Sequence, residues 1–172
     1  MYEPRDFAHL IGMEGFSDTL LKNHFTLYQG YVANTNKLAD TLKALAAEGK
    51  FGPEYAEMRR RFGWEWSGMR LHEAYFNNLG GRNETPGPAI TAALDRDFGC
   101  FEAWKKEFVA IGAMRGIGWV VLCKDTCHDR LFNVWVNEHD VGHLAGTKPL
   151  VVMDVFEHAF LTDYGLKRAD YL

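Results

Sequence analysis

Apolar positions recur at helical spacing through the first half of the chain and at strand spacing near its end. From Leu20 through His24, Leu27, Tyr28, Tyr31, Val32, Leu38, Leu42 and Leu45 the intervals are mostly three, four or seven, which predicts one long amphipathic helix. Ser17-Asp18 offers an N-cap and an acidic first turn, and Gly49 ends the pattern. His24, Tyr28 and Tyr31 share one face, four and seven residues apart. A second helix starts at Gly52-Pro53, since proline is tolerated in a first turn. Its inward face runs through Tyr55, Met58, Phe62, Trp66, Met69, His72, Tyr75, Phe76 and Leu79. The residues before Ser17, broken by Gly12 and Gly15, read as an extended lead-in.

Gly80-Gly81 stops the second helix, and the stretch from Gly81 to Pro88 is the clearest linker in the chain. It predicts a boundary between a helical hairpin domain, residues 1–83, and an α+β domain, residues 84–172. Ala89–Phe98 and Phe101–Met114 read as two shorter helices separated by Gly99. Gly116–Lys124 then switches to β-type composition, a turn-like Asp125–Asp129 leads to Leu131–Val136, and Val151–Asp154 supplies a third strand. Two strands joined so closely pair antiparallel. The expected fold is α+β: a long antiparallel helical hairpin, then a C-terminal α/β domain with a small three-stranded antiparallel sheet.

Composition narrows the function. The 172 residues are 47% apolar and 24% charged, as in a globular protein with a proper core. The excess is aromatic, with 12 Phe, 7 Tyr and 5 Trp, enough to wall a small dry site as well as fill a core. A net charge of −4 gives no basic face for nucleic acid, and an anionic substrate has to be drawn by local charge. No segment approaches the roughly 18 apolar residues of a membrane span, and the first residues lack the apolar run of a signal peptide. The expectation is a cytoplasmic protein with neither membrane nor nucleic acid as partner. Cys100, Cys123 and Cys127 are an odd count read as reduced thiols, although Cys123 and Cys127 flank a turn they could bridge.

The chemistry concentrates in histidine. His9 and His128 sit in the lead-in and a turn, which leaves His24, His72, His139, His143 and His158. Asp154-Val155-Phe156-Glu157-His158 places a carboxylate and an imidazole four residues apart at the end of an apolar strand. That spacing alone is more often a surface ion pair, and a lone His on a buried helix face is more often a core residue. Together, His24, His72, Asp154 and His158 make three imidazoles and one carboxylate from both halves of the chain. Such a set suits Fe, Mn or Zn and suits Ca or Mg poorly. Tyr and Trp around it, rather than Cys, favour a redox metal with one open position. Zinc-activated water is the alternative chemistry, but no general base is placed beyond the four residues.

Several segments resemble the iron/manganese superoxide dismutases over nearly the whole chain. They are His24…Tyr31-Val-Ala-Asn34-Thr-Asn36, His72-Glu-Ala-Tyr75-Phe76-Asn-Asn-Leu79, Gly116-Ile-Gly118-Trp119, Asp154-Val-Phe-Glu-His158-Ala-Phe and Arg168-Ala-Asp-Tyr171-Leu. The resemblance implies one Fe or Mn ion per subunit on His24, His72, Asp154 and His158, and an enzyme that converts superoxide to O2 and H2O2. It implies that Tyr31 is the gateway tyrosine at the substrate funnel. By the same resemblance Tyr75 and Trp119 belong to the aromatic wall, and Tyr164 and Arg168 to the mouth. The resemblance also implies that Glu157 reaches the last ligand across a homodimer, with a tetramer as the alternative assembly.

The resemblance also carries departures. Iron members commonly place a Gln where this chain has Gly68, and manganese members place one on the sheet, at or near His139, with His143 one turn away. Fe and Mn therefore both stay open, with His139 the expected outer-sphere donor. An ungapped match puts Asn23 at the first ligand position; a one-residue deletion puts His24 there. The cross-subunit Tyr and His of the family are replaced by Leu161 and by Leu27 or Tyr28. The chain stops at Tyr171-Leu172, where the family continues with a C-terminal helical segment. That shortness makes a dismutase-like metal-binding protein with little turnover the second expectation.

Overall fold

The computed structural model describes residues 1–81 and 86–172. The expected domain boundary between Asn83 and Glu84 lies outside the described residues, as do Arg82 and Thr85 of the expected linker. Helix α1 spans Asp18–Ala47 and α2 spans Pro53–Asn78. Ser17 caps α1 by accepting from the Leu20 amide at 3.1 Å, and Pro53 occupies the first turn of α2. Contacts between the two run in opposite directions along the chain: His24 with Phe76, Tyr28 with Glu73, Asn34 with Glu65. The pair is thus an antiparallel hairpin.

The lead-in is not simply extended. It makes a 3-10 turn at Ala8–Leu10, and Phe7 and Leu10 are buried in the core. Tyr2 exchanges backbone hydrogen bonds with the Asn36 side chain at 2.7 and 2.8 Å, and the Arg5 amide donates to Tyr28 Oη at 3.0 Å. Tyr28 in turn donates to Glu73, whose other oxygen accepts from Arg70 at 2.7 Å, so that this buried carboxylate is fully partnered.

Helices α3 (Pro88–Phe98) and α4 (Phe101–Gly112) follow, then β1 (Gly118–Asp125), β2 (Leu131–Asn137) and β3 (Thr147–Asp154). The sheet is antiparallel, in the order β2-β1-β3. Alternation along the central strand decides the packing. Trp119, Val121 and Cys123 face the helical hairpin, whereas Val120 and Leu122 join Trp104 and Phe108 beneath α3 and α4. Strand β3 starts earlier than its apolar run predicts, because Pro149 reads as a breaker. Here it pairs with Cys123 at a register shift on an edge strand, where a missing N–H is tolerated. A 3-10 turn at Glu157–Ala159 and two short helices, α5 (Leu161–Tyr164) and α6 (Arg168–Tyr171), close the described chain. No described helix is long and apolar enough to cross a membrane. Cys123 is buried, Cys100 and Cys127 are exposed, and none of the three is bridged, so the conceivable Cys123–Cys127 disulfide is not formed.

Candidate metal centre

Three layers meet where β3 ends against the hairpin. Helix α1 brings His24 there, α2 brings His72, the last residue of β3 is Asp154, and the turn after it supplies His158. One donor atom from each lies within 4.8 Å of every other. His24, His72 and Asp154 are buried, and His158 is about a quarter exposed, with a side-chain value of 27%. Asn23 is exposed on the other side of α1, and α1 is α-helical throughout. His24, not Asn23, is therefore the residue of this regular helix that joins the cluster.

Proton positions follow from the hydrogen bonds. His72 Nδ1 donates to the Gly68 carbonyl one turn back, at 2.6 Å, which leaves Nε2 as a bare lone pair. That nitrogen lies 3.6 Å from Asp154 Oδ2. His24 Nε2 is 3.2 Å from the same oxygen, out of line for a hydrogen bond, while His158 Nε2 makes one at 3.1 Å. Among the described residues, both nitrogens of His24 and Nε2 of His72 are buried without a partner. Burial pushes both imidazoles below their ordinary pKa, His72 further because His24 adds to it. Burial would raise the Asp154 carboxyl, but the charge and hydrogen bond of His158 and the nearness of His24 outweigh it. The group is held well below the carboxylate range. Lone pairs aimed at an anion repel it; a cation between them reverses the sign. Three imidazole nitrogens and one carboxylate oxygen at this spacing fit a first-row transition ion.

Around the four donors stands a wall of rings. Tyr75 tilts over His24 at 5.5 Å, Trp119 meets His72 edge-on at 4.8 Å, and Tyr31 stacks on His72 at 5.1 Å. His139 is fully buried behind Tyr31. The Trp119 indole N–H donates to His139 Nδ1 at 3.0 Å, and His139 Nε2 lies 2.7 Å from Tyr31 Oη. Burial pushes His139 down to about 4, so the ring is neutral near pH 7. An indole can only donate; the single imidazole proton must then sit on Nε2 and be given to Tyr31. The Tyr31 hydroxyl keeps its own hydrogen for another acceptor, and burial pushes its pKa up. His143 is not in this network: it is exposed and bonds the His139 carbonyl at 2.9 Å.

The residues expected at the mouth are both tied to backbone carbonyls. The Tyr164 hydroxyl donates to the Gly15 carbonyl at 2.5 Å, and Arg168 donates to the carbonyls of Met114 and Gly116 at 2.7 and 2.8 Å. Neither hydrogen-bonds any of the four donors. Glu157 is exposed beside His158, whose Nδ1 makes no hydrogen bond among the described residues. Three contributors carry no expected site role from the sequence. Tyr171 donates to the Asp154 carbonyl at 2.7 Å and accepts from Tyr75 at 3.0 Å. Phe156 stacks on both His139 and His158, at 4.8 and 5.1 Å. Gly68 leaves room for Tyr31: a Cβ there would lie 2.7 Å from its ring. Of the three, Gly68 had a signal, as the position four residues before His72 where the resemblance leads one to look for a Gln.

Comparison with known proteins agrees with this geometry. Residues 86–172 match the family described as "Iron/manganese superoxide dismutases, C-terminal domain". A "Superoxide dismutase [Mn] 2" of Haloferax volcanii is 36% identical over 151 residues, which cover 87% of this chain and 75% of that protein. A "Superoxide dismutase [Fe]" of Aquifex pyrophilus is 34% identical over 178 residues, covering 99% and 83%. One from Cupriavidus metallidurans, also named [Fe], is 34% identical over 165 residues, covering 93% and 82%. A buried cluster of three histidines and an aspartate thus sits in a chain that belongs to the iron/manganese superoxide dismutase family.

Proposed function

We propose that His24, His72, Asp154 and His158 hold one iron or manganese ion and that superoxide is disproportionated beside Tyr31. The observation that carries this reading is the set of buried, unpartnered imidazole nitrogens around a buried carboxylate oxygen. When bound, the ion supplies reversible one-electron exchange. The chain supplies everything else. Asp154 is the one anionic donor, and its carbonyl is fixed by Tyr171. Gly68 selects the His72 tautomer that leaves Nε2 free. His139 gives its Nε2 proton to Tyr31, so Tyr31 stays a neutral donor whose hydrogen faces an incoming small anion. Two superoxide anions need two protons to yield O2 and H2O2, and Tyr31 Oη is where this chain can hold one. The aromatic wall limits entry to small ligands. Relatives named for manganese and for iron match at 36% and 34% identity, and either ion suits the donor set.

The working unit is read as a homodimer. His158 Nδ1 lacks a partner, and metal-bound imidazoles ordinarily give that proton to a carboxylate or carbonyl. Glu157 is exposed beside it, so a two-fold axis would let Glu157 of the partner subunit accept it. With residues 1–83 and 84–172 as two domains, each contributes two of the four donors. Three unbridged cysteines suit a reducing compartment, the cytoplasm. The test is elemental analysis of purified protein together with a dismutation assay and sedimentation. Iron or manganese near one per chain, superoxide-dependent turnover and a dimer that Glu157→Ala weakens are expected. Bound zinc without turnover would overturn the assignment.

A further inference from the structure

Trp64 stands between the solvent and the Tyr31–His139 pair. Its ring meets His139 edge-on at 4.4 Å and Tyr31 at 5.5 Å. His139 is thereby sandwiched, with Phe156 stacked on it at 4.8 Å and Trp119 fixing Nδ1. Of these three supports, Trp119 is fully buried, and Phe156 and Trp64 are partly buried and packed on the core. Trp64 is in addition held from the surface. Its indole N–H donates to Glu138 Oε2 at 2.9 Å, from α2 to the loop after β2. The Arg61 guanidinium lies 3.7 Å over its ring and pairs with Glu65 at 2.8 Å. Glu138 immediately precedes His139 and has φ 49°, a left-handed conformation uncommon for a residue with a Cβ. Nothing in the turn itself calls for a glutamate: Asn or Gly would adopt this conformation more easily. What a glutamate adds is the length to reach Trp64.

We infer that Glu138 and Trp64 form a clamp that positions His139, and through it Tyr31, from the protein surface. Both are positioning residues. The inference rests on the role proposed above for Tyr31 and His139. A carboxylate on the indole N–H orients the ring and enriches its face toward Arg61, so the ion pair, the stacked cation and the hydrogen bond reinforce one another. Releasing the indole would free the outer wall of His139 without touching any of the four metal donors.

The test compares Glu138→Gln, Glu138→Asn, Trp64→Phe and the double variant Glu138→Asn/Trp64→Phe in the metal-loaded enzyme. Metal content, kcat and KM, unfolding midpoint and the electron paramagnetic resonance of the bound ion are measured. Gln keeps an acceptor at the right reach and should stay within about twofold of wild type. Asn suits the left-handed turn but falls short of the indole; Phe keeps the ring and loses the donor. Both should keep full metal and the unfolding midpoint while kcat falls about tenfold, the low end for loss of an outer-shell partner. The resonance should broaden, and the double variant should be no worse than either single one, because both break the same bond. Wild-type kcat and resonance in folded, metal-loaded Glu138→Asn would overturn the clamp, as would additive losses. Tyr31→Phe and His139→Ala run alongside: if these leave turnover unchanged, the parent assignment fails rather than the clamp alone.

Discussion

Two glycines in α2 offer a matched test of how Tyr31 is seated. Gly63 and Gly68 both lie inside Pro53–Asn78, and alanine should favour the helix at either by roughly 1 kcal/mol. Their surroundings differ. A Cβ on Gly63 meets nothing within 4 Å, whereas one on Gly68 would lie 2.7, 2.8 and 3.2 Å from three atoms of the Tyr31 ring. Restoring ordinary contact at 3.4 Å asks that ring to move by about 0.7 Å, from 2.7 Å. It has little freedom, being stacked on His72 at 5.1 Å, against Trp64 at 5.5 Å and bonded to His139 at 2.7 Å. Overpacking of this kind costs about 1–3 kcal/mol. Propensity cancels between the two variants, so the difference in their stability isolates the clash. Gly63→Ala should raise the unfolding midpoint by about 2–4 °C, at about 2–4 °C per kcal/mol for a chain of this size. Gly68→Ala should leave it level or lower it. The same displacement stretches the Tyr31–His139 hydrogen bond beyond useful length, so Gly68→Ala should retain metal and lose about tenfold in kcat. Denaturant or thermal unfolding, elemental analysis and a dismutation assay read all three quantities. A Gly68→Ala variant as stabilised as Gly63→Ala and fully active would refute the packing argument.

Asp154→Asn removes the one anionic donor while keeping an oxygen for the Phe156 amide, now 2.8 Å away; the fold should persist and iron or manganese be lost, as elemental analysis would show. Trp119→Phe deletes the donor to His139 Nδ1, leaving a buried nitrogen unpaired at a cost of about 1–3 kcal/mol; the metal should stay, and turnover should fall as His139 loses its fixed tautomer. At the far end of the sheet, Asp97 accepts from Arg96 at 2.6 Å, the Leu131 amide at 2.8 Å and Arg130 at 2.5 Å, and Arg96 first among these holds its carboxyl well below the ordinary 3.8. A depressed folded pKa stabilises above 3.8 and ceases to do so as pH falls through the lowered value. Wild type should therefore unfold above Asp97→Asn at neutral pH, and the gap should close on acidification below about pH 4; a gap independent of pH would show that the charge contributes nothing.

Local chemistry made much of this protein legible from its sequence. Ser17, Pro53 and the periodic apolar faces set both long helices nearly to the residue, because capping and amphipathic burial act over one or two turns. The four donors were legible for the same reason: each sits where a regular element ends or turns a buried face inward. The sequence also marked His139 by counting back from Asp154, with His143 left open one turn away. Only tertiary packing chose between them, since Trp119 and Tyr31 arrive from a strand and a helix far apart in the chain. The same holds for Tyr171 on the Asp154 carbonyl, for the space that Gly68 leaves to Tyr31, and for the Trp64–Glu138 bond, whose residues stand 74 positions apart. Arg168 and Tyr164 show the converse: their side chains are engaged by carbonyls of Met114, Gly116 and Gly15 that no local pattern announces. Sequence spacing determines which residues can share a face; which atoms finally touch depends on how the hairpin, the sheet and the last turn are brought against one another.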